Sequence, residues 1–275
     1  MNLIEAMRTE YGKSKFWWGC SLVFGLALYP LAVLSVFYSD GLVAKSFGIL
    51  ALLLQLLLFT FRVCMGRHLS LGEQIRRLAM LKDGLGIEPS KYQLAKLQER
   101  MGKTKSSEPA YLGPYYDSTL PVGPKRLLEI TAESAFFTHA LARTSACIFT
   151  VISALGISIV FIGLIIIIQT GLSQTMLDAV AKTAVISMAF WVTGDFAFTA
   201  LRFCSLALTA EKVFDQCGRL LSQDTDSRDD AYITVSEYNC AVNQDPPIPG
   251  FVYWWRRDSL NEAWRRHRSL EVSTR

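Results

Sequence analysis

At 275 residues with a net charge of +4, the chain has room for one large or two small domains. Its 51% hydrophobic content and mean hydropathy of +0.27 are too high for an ordinary soluble chain and too low for one wholly embedded in lipid. A membrane part joined to a wet part fits both numbers.

The first apolar run, residues 16–37, spans about 33 Å as a helix, which is long enough to cross a bilayer. Trp17 and Trp18 at one end and Phe37 and Tyr38 at the other read as interfacial belts, and Pro30 predicts a kink. The run is too long for the core of a signal peptide, and no A-x-A-like cleavage site follows. The second run, 47–61, stops at Arg62 and becomes a span when extended back past Lys45 to Gly41. Beyond it Leu71, Ile75, Leu78 and Ala79 keep a helical period to Asp83-Gly84, with Ser70 and Glu73 at capping-box spacing.

A further wet helix is expected over 90–101, where Leu94, Leu97 and Met101 form one stripe, followed by a polar linker over 102–109. Gly102-Lys103-Thr104 has the ending of a phosphate-binding loop. Position 97 is leucine where that loop needs glycine, and no buried strand precedes it, so the motif is rejected. Residues 111–125 set Tyr111, Tyr115 and Tyr116 among glycines and prolines, which predicts an ordered aromatic loop. Pro124 suits the first turn of a helix running without a break into the third span, 146–168, which carries no charge.

The fourth span, 184–208, carries Asp195 and Arg202. Such residues cost roughly 2.5–3.5 kcal/mol at a bilayer centre, so they normally face a bundle interior, a wet path or a partner. Seven residues apart, they are separated by about 10.5 Å along one helix and cannot pair with each other. Gln55, water or another subunit must answer Asp195; a pore or gating role is expected for all three residues, the alternative being a protonated or hydrogen-bonded Asp195 inside a static bundle. The second, third and fourth spans all continue as wet helices, which suggests a helical stalk. Residues 223–230 form an acidic joint, and a short helix over 231–242 carries Ala231, Val235, Tyr238 and Val242 on one face. Pro246, Pro247 and Pro249 enforce an extended segment before a final helix within 251–268, where Ser259 and Glu262 again have capping-box spacing.

The expected fold is therefore an all-α membrane protein. Residues 1–61 form an N-terminal segment and first hairpin, 62–145 a helical insertion, 146–208 a second hairpin, and 209–275 the rest of the same wet domain. Thirteen Lys/Arg lie between the second and third spans and nine after the fourth, against only Lys45 and Lys182 in the two short connections. That asymmetry predicts both termini in the cytoplasm.

Six widely spaced cysteines without a C-x-x-C pair suggest neither a disulfide framework nor a zinc site. His68, His139 and His267 stand apart, and no nucleophile or metal motif appears, so the expectation is a non-enzyme without a cofactor. What the wet part offers is anion and base chemistry. Lys125 and Arg126 sit at a predicted helix N-terminus that favours phosphate, and Tyr115 and Tyr116 just upstream could stack on bases. Their structural reading is that they hold the loop to the domain. Arg256 and Arg257, beside Trp254 and Trp255, form a second cluster that could equally dock the tail on its own domain or a partner.

Several short motifs carry a resemblance: Arg8-x-x-Tyr11-x-x-Ser14-Lys15 before the first span, Pro114-Tyr115-Tyr116-Asp117, and the proline-rich entry to Arg256-Arg257-Asp258-x-Leu260-Asn261. With the four-span layout they resemble the SMODS-associated four-transmembrane effectors of bacterial cyclic-oligonucleotide-based antiphage signalling systems. Before the third span the chain has Glu133-Ser134-Ala135-Phe136-Phe137 in place of that family's Gln- and Trp-rich pattern. The resemblance implies a cyclic di- or oligonucleotide as activating ligand, no DNA or RNA polymer, and residence in the bacterial inner membrane among its lipids. It also implies a homo-oligomer, with a tetramer as the first guess, that assembles or opens to breach the membrane. The reading from another class is a membrane-anchored scaffold recruiting a protein partner through its cytoplasmic domain.

Overall fold

The computed structural model describes residues 2–37, 41–102, 115–169, 173–193, 195–223 and 228–274. Among these it is all-α, with no strand. The helices are α1 Leu3–Phe37, α2 Gly41–Leu85, α3 Lys91–Met101, α4 Pro124–Ile168, α5 Gln174–Thr193, α6 Asp195–Ser222, α7 Arg228–Gln244 and α8 Gly250–Thr274. Four segments are long and apolar enough to cross a membrane, in α1, in α2, in α4 and across α5 and α6.

The chain divides into two compact units. One comprises Met1–Lys15, Gly66–Thr144 and Phe203–Arg275, and the other comprises Phe16–Met65 and Ser145–Arg202. These boundaries fall close to the ends of the apolar runs read from the sequence. The second unit therefore holds the spans and the first holds most of the charge.

In the first unit, apolar residues at helical spacing bury against one another. Leu71, Ile75 and Ala79 of α2 pack with Leu3 and Met7 of α1 and Leu97 of α3. Leu128, Ala132 and Ala135 of α4 pack with Ala210, Val213 and Cys217 of α6 and with Ala231 and Tyr238 of α7. Each large side chain buried in this way contributes about 1.5–3 kcal/mol. The approach of α2 to α4 depends on Gly84, where an added Cβ would lie 2.9 Å from the Leu127 Cα. Two residues later Gly86 takes a left-handed φ of +68° and ends α2, its N–H donating to the Lys82 carbonyl.

Three local expectations need revision. Ser70 and Glu73 cap nothing, because α2 runs through them unbroken. The Glu73 carboxylate instead accepts from Tyr11 and Arg76. Ser259 lies inside α8, its hydroxyl donating to the Arg256 carbonyl, so that capping spacing is also incidental. α1 begins ahead of the apolar run: residues 3–15, expected only as part of an N-terminal segment, are its first turns. The fourth apolar run is helical on both sides of Gly194, which lies outside the described residues, and Met176–Ser222 forms one segment long and apolar enough to cross a membrane, as expected. One capping box does form, at Ser90 and Gln93 ahead of α3.

Packing in the second unit is largely aromatic. Trp17 stacks on Phe61 at 5.5 Å between ring centres. Trp18, expected at an interfacial belt, is instead buried beside Phe149. Tyr29 stacks on Phe190 and bonds the Ser187 hydroxyl at 2.8 Å. Gly156 allows α4 to meet α5, since a Cβ there would come within 2.3 Å of the Trp191 ring.

Candidate functional site

In the first unit α1, α2, α4, α6, α7 and α8 enclose a recess of about 540 Å³, a size within the range of small-molecule sites. Helical spacing explains the α1 wall. Arg8, Tyr11 and Lys15 fall at i, i+3 and i+7 and so share the face turned to the recess. The α2 wall contributes Glu73 and Arg76, one turn apart. Prolines 246 and 247 carry the chain round to α8, which adds Tyr253, Arg257 and Asn261 at i, i+4 and i+8.

A buried network fixes the floor. The Arg76 guanidinium donates to Glu73 at 2.9 Å and to the Asn239 side chain at 2.8 Å, and lies 4.9 Å from the centre of the Tyr238 ring. Tyr11 donates to the other Glu73 oxygen, and the Tyr238 and Thr138 hydroxyls share a hydrogen bond of 2.7 Å. Glu73 and Arg76 are 1% and 8% exposed, and each answers the other's charge.

The upper wall is less fully satisfied. Lys15 has no hydrogen-bond or ion-pair partner among the described residues. The Arg8 guanidinium lies 5.7 Å from the centre of the Tyr115 ring. Tyr116 is buried, and its hydroxyl has no hydrogen-bond partner among the described residues. Recessed position away from bulk water pushes the Tyr115 hydroxyl up to about 12 and raises that of Tyr116 well above its ordinary value, so both stay protonated donors at neutral pH. Glu133 accepts the Asp117 backbone N–H at 3.0 Å. Burial lifts its carboxyl to about 7, with the nearby Asp117 charge adding to the rise and Arg268 opposing it. The recess thus combines five tyrosine rings with cations on α1 and α8 and a carboxyl that is part neutral at pH 7. Such a surface can stack flat rings and receive anions.

Of the six ligand-binding residues expected from the sequence, Tyr115, Tyr116 and Arg257 line this recess; Lys125, Arg126 and Arg256 do not. Arg126 makes the contacts that its structural reading expects. It donates to the carbonyls of Asp83, Ser118 and Leu120 and to the Asp83 carboxylate at 2.8–3.1 Å, clamping the loop ahead of α4 to the end of α2. Arg268 pins the other end of that loop through Asp117 at 2.8 Å. Trp254 and Trp255 stand out from α8, 81% and 67% exposed.

Sequence reading missed Arg8, Tyr11, Lys15, Glu73, Arg76 and Glu133 as site residues. The three-and-four spacing of Arg8, Tyr11 and Lys15 was the available signal. Among the pore candidates, Arg202 lies over Phe198 of its own helix at 5.8 Å, and Gln55 is exposed on α2. The Asp195 side chain, like Tyr111 and Pro114, lies outside the described residues. No group of three or more His, Cys, Asp or Glu placed to hold a metal ion occurs among the described residues. No family model, curated protein or solved structure matches the chain.

Proposed function

We propose that this chain is a membrane effector of bacterial antiphage defence, activated by a cyclic di- or oligonucleotide that seats in the recess of the first unit. The observation that carries the reading is the recess wall itself, where Lys15, without a partner among the described residues, lines the same cavity as five tyrosine rings. Phosphates would meet Lys15, Arg8 and Arg257, and bases would stack on Tyr115 and Tyr253. Because α1 and α4 carry both recess residues and apolar spans, a ligand drawing on those helices acts on the membrane segments by chain continuity. Copies of the chain then assemble or open as a homo-oligomer, with a tetramer as the first guess, and the inner membrane is breached with both termini in the cytoplasm. Infected cells stop growing before the phage is released.

The test is calorimetric titration of the purified full chain with a panel of cyclic di- and trinucleotides. One member should bind, and Lys15→Glu should weaken it by at least tenfold, while Lys125→Glu, outside the recess, should leave it unchanged. The reverse ranking would place the site at the α4 N-terminus instead.

The exposed pair Trp254 and Trp255 supports a second reading, a membrane-anchored scaffold that recruits a protein through α8. It requires partner capture that is lost in Trp254→Ala, with no ligand-dependent change in the membrane.

A further inference from the structure

The membrane segment of α2 leaves a polar group where lipid would be. Gln55 is exposed, its amide has no partner among the described residues, and Leu52, Leu53, Leu56 and Leu57 around it are exposed. Only 6% of the most apolar window of this helix is buried within the chain. Gln55 lies about 15 Å along the helix from Lys45 and about 10.5 Å from Arg62, the charged residues that bound the run, so its amide sits well inside the hydrocarbon layer. There the N–H and carbonyl groups of an amide find no water and must find protein.

The residues around it repeat with a defined spacing. Gly41, Lys45, Gly48, Leu52, Gln55, Phe59 and Arg62 follow one another at alternating intervals of four and three, the seam of a left-handed helix pair. All seven are exposed. A Cβ built on Gly41 or Gly48 would meet nothing within 4 Å, so the seam is open to an approaching helix.

We infer that this seam is an interface between copies of the chain, in which the Gln55 amides of two α2 helices hydrogen-bond to each other. The occupant follows from symmetry and chemistry. Copies inserted in one membrane with one orientation are related by an axis along its normal, so a residue at a given depth meets the same residue of its neighbour. A group that both donates and accepts satisfies its own copy; a lone charge does not. Gln55 is such a group, whereas Lys45 and Arg62 lie at the ends, where long side chains reach water. The inference rests on α2 as a membrane span and not on the ligand of the recess.

Single cysteines placed in the full chain in liposomes test it, with the wild-type chain under the same oxidant as background. Leu52→Cys, Gln55→Cys and Phe59→Cys should give disulfide-linked dimer, and Leu50→Cys, Leu53→Cys and Leu57→Cys on the opposite face should not. Energy transfer between labelled full-length copies gives the second readout. Gln55→Leu should weaken association by about 3- to 30-fold and Gln55→Asn by less. Equal cross-linking on both faces, or unchanged association in Gln55→Leu, overturns the inference. A chain that cross-links along the seam but binds no nucleotide retains the interface and loses the proposed function; one that binds nucleotide without cross-linking does the opposite.

Discussion

Arg76 is held by Glu73, Asn239 and the Tyr238 ring at a depth where neither charge of its ion pair meets water freely. Removing one partner of such a pair costs far more than replacing both. Arg76→Met should lower stability by about 3–5 kcal/mol, and Glu73→Gln combined with Arg76→Met should recover much of that, as read from unfolding in detergent followed by helical circular dichroism. Glu133 behaves differently, because its folded form favours the proton. A carboxyl raised from 4.5 to about 7 contributes stability that is complete below 4.5 and is lost as the pH rises through 7. Glu133→Gln should therefore flatten the dependence of the melting temperature between pH 5 and 8 and raise it at pH 8; a curve parallel to that of the wild type would remove Glu133 from the account. Tyr115 and Tyr116 could be picked out from the sequence because aromatic residues cluster among turn formers. Glu133 and Arg76 could not, since a single acid or base on a helix face has the same pattern whether it is solvated or buried.

At the scale of elements, hydrophobic runs and periodicity located the four apolar segments, the helical extensions of α2, α4 and α6 beyond them, and α3, but not the capping box at Ser90 and Gln93. Short polar patterns were less informative. Ser70 with Glu73 and Ser259 with Glu262 have capping spacing yet lie within continuous helices, because the apolar period on either side continues and burial outweighs one local hydrogen bond. Nothing in the sequence separates Gly84 from other glycines, although α2 meets α4 there. Gly84→Ala should cost about 1–3 kcal/mol through contact with the Leu127 backbone. Gly12→Ala, with open space around its position, should cost nothing measurable or stabilise α1, and equal effects in a thermal melt would contradict the close crossing.

The whole molecule draws its recess from five stretches of chain: the start of α1, the second half of α2, the loop into α4 with α4 itself, α6 at Leu206, and α7 with α8. Tyr11 meets Glu73 across 62 residues of sequence, and Arg76 meets Asn239 across 163. No local window holds both partners of such pairs, which is why the expected ligand cluster settled on the adjacent Lys125 and Arg126 and overlooked Lys15. Once the helices are assembled, cations and tyrosines face one cavity, and the chain that lines it leads directly into the spans. The most direct measurement is release of a small dye from liposomes of bacterial phospholipid containing the purified full chain, with a cyclic nucleotide panel added outside to copies whose first unit faces outward. Release on addition of one panel member, lost in Lys15→Glu and kept in Lys125→Glu, is the predicted result. Sealed liposomes with every member of the panel would contradict the proposed function.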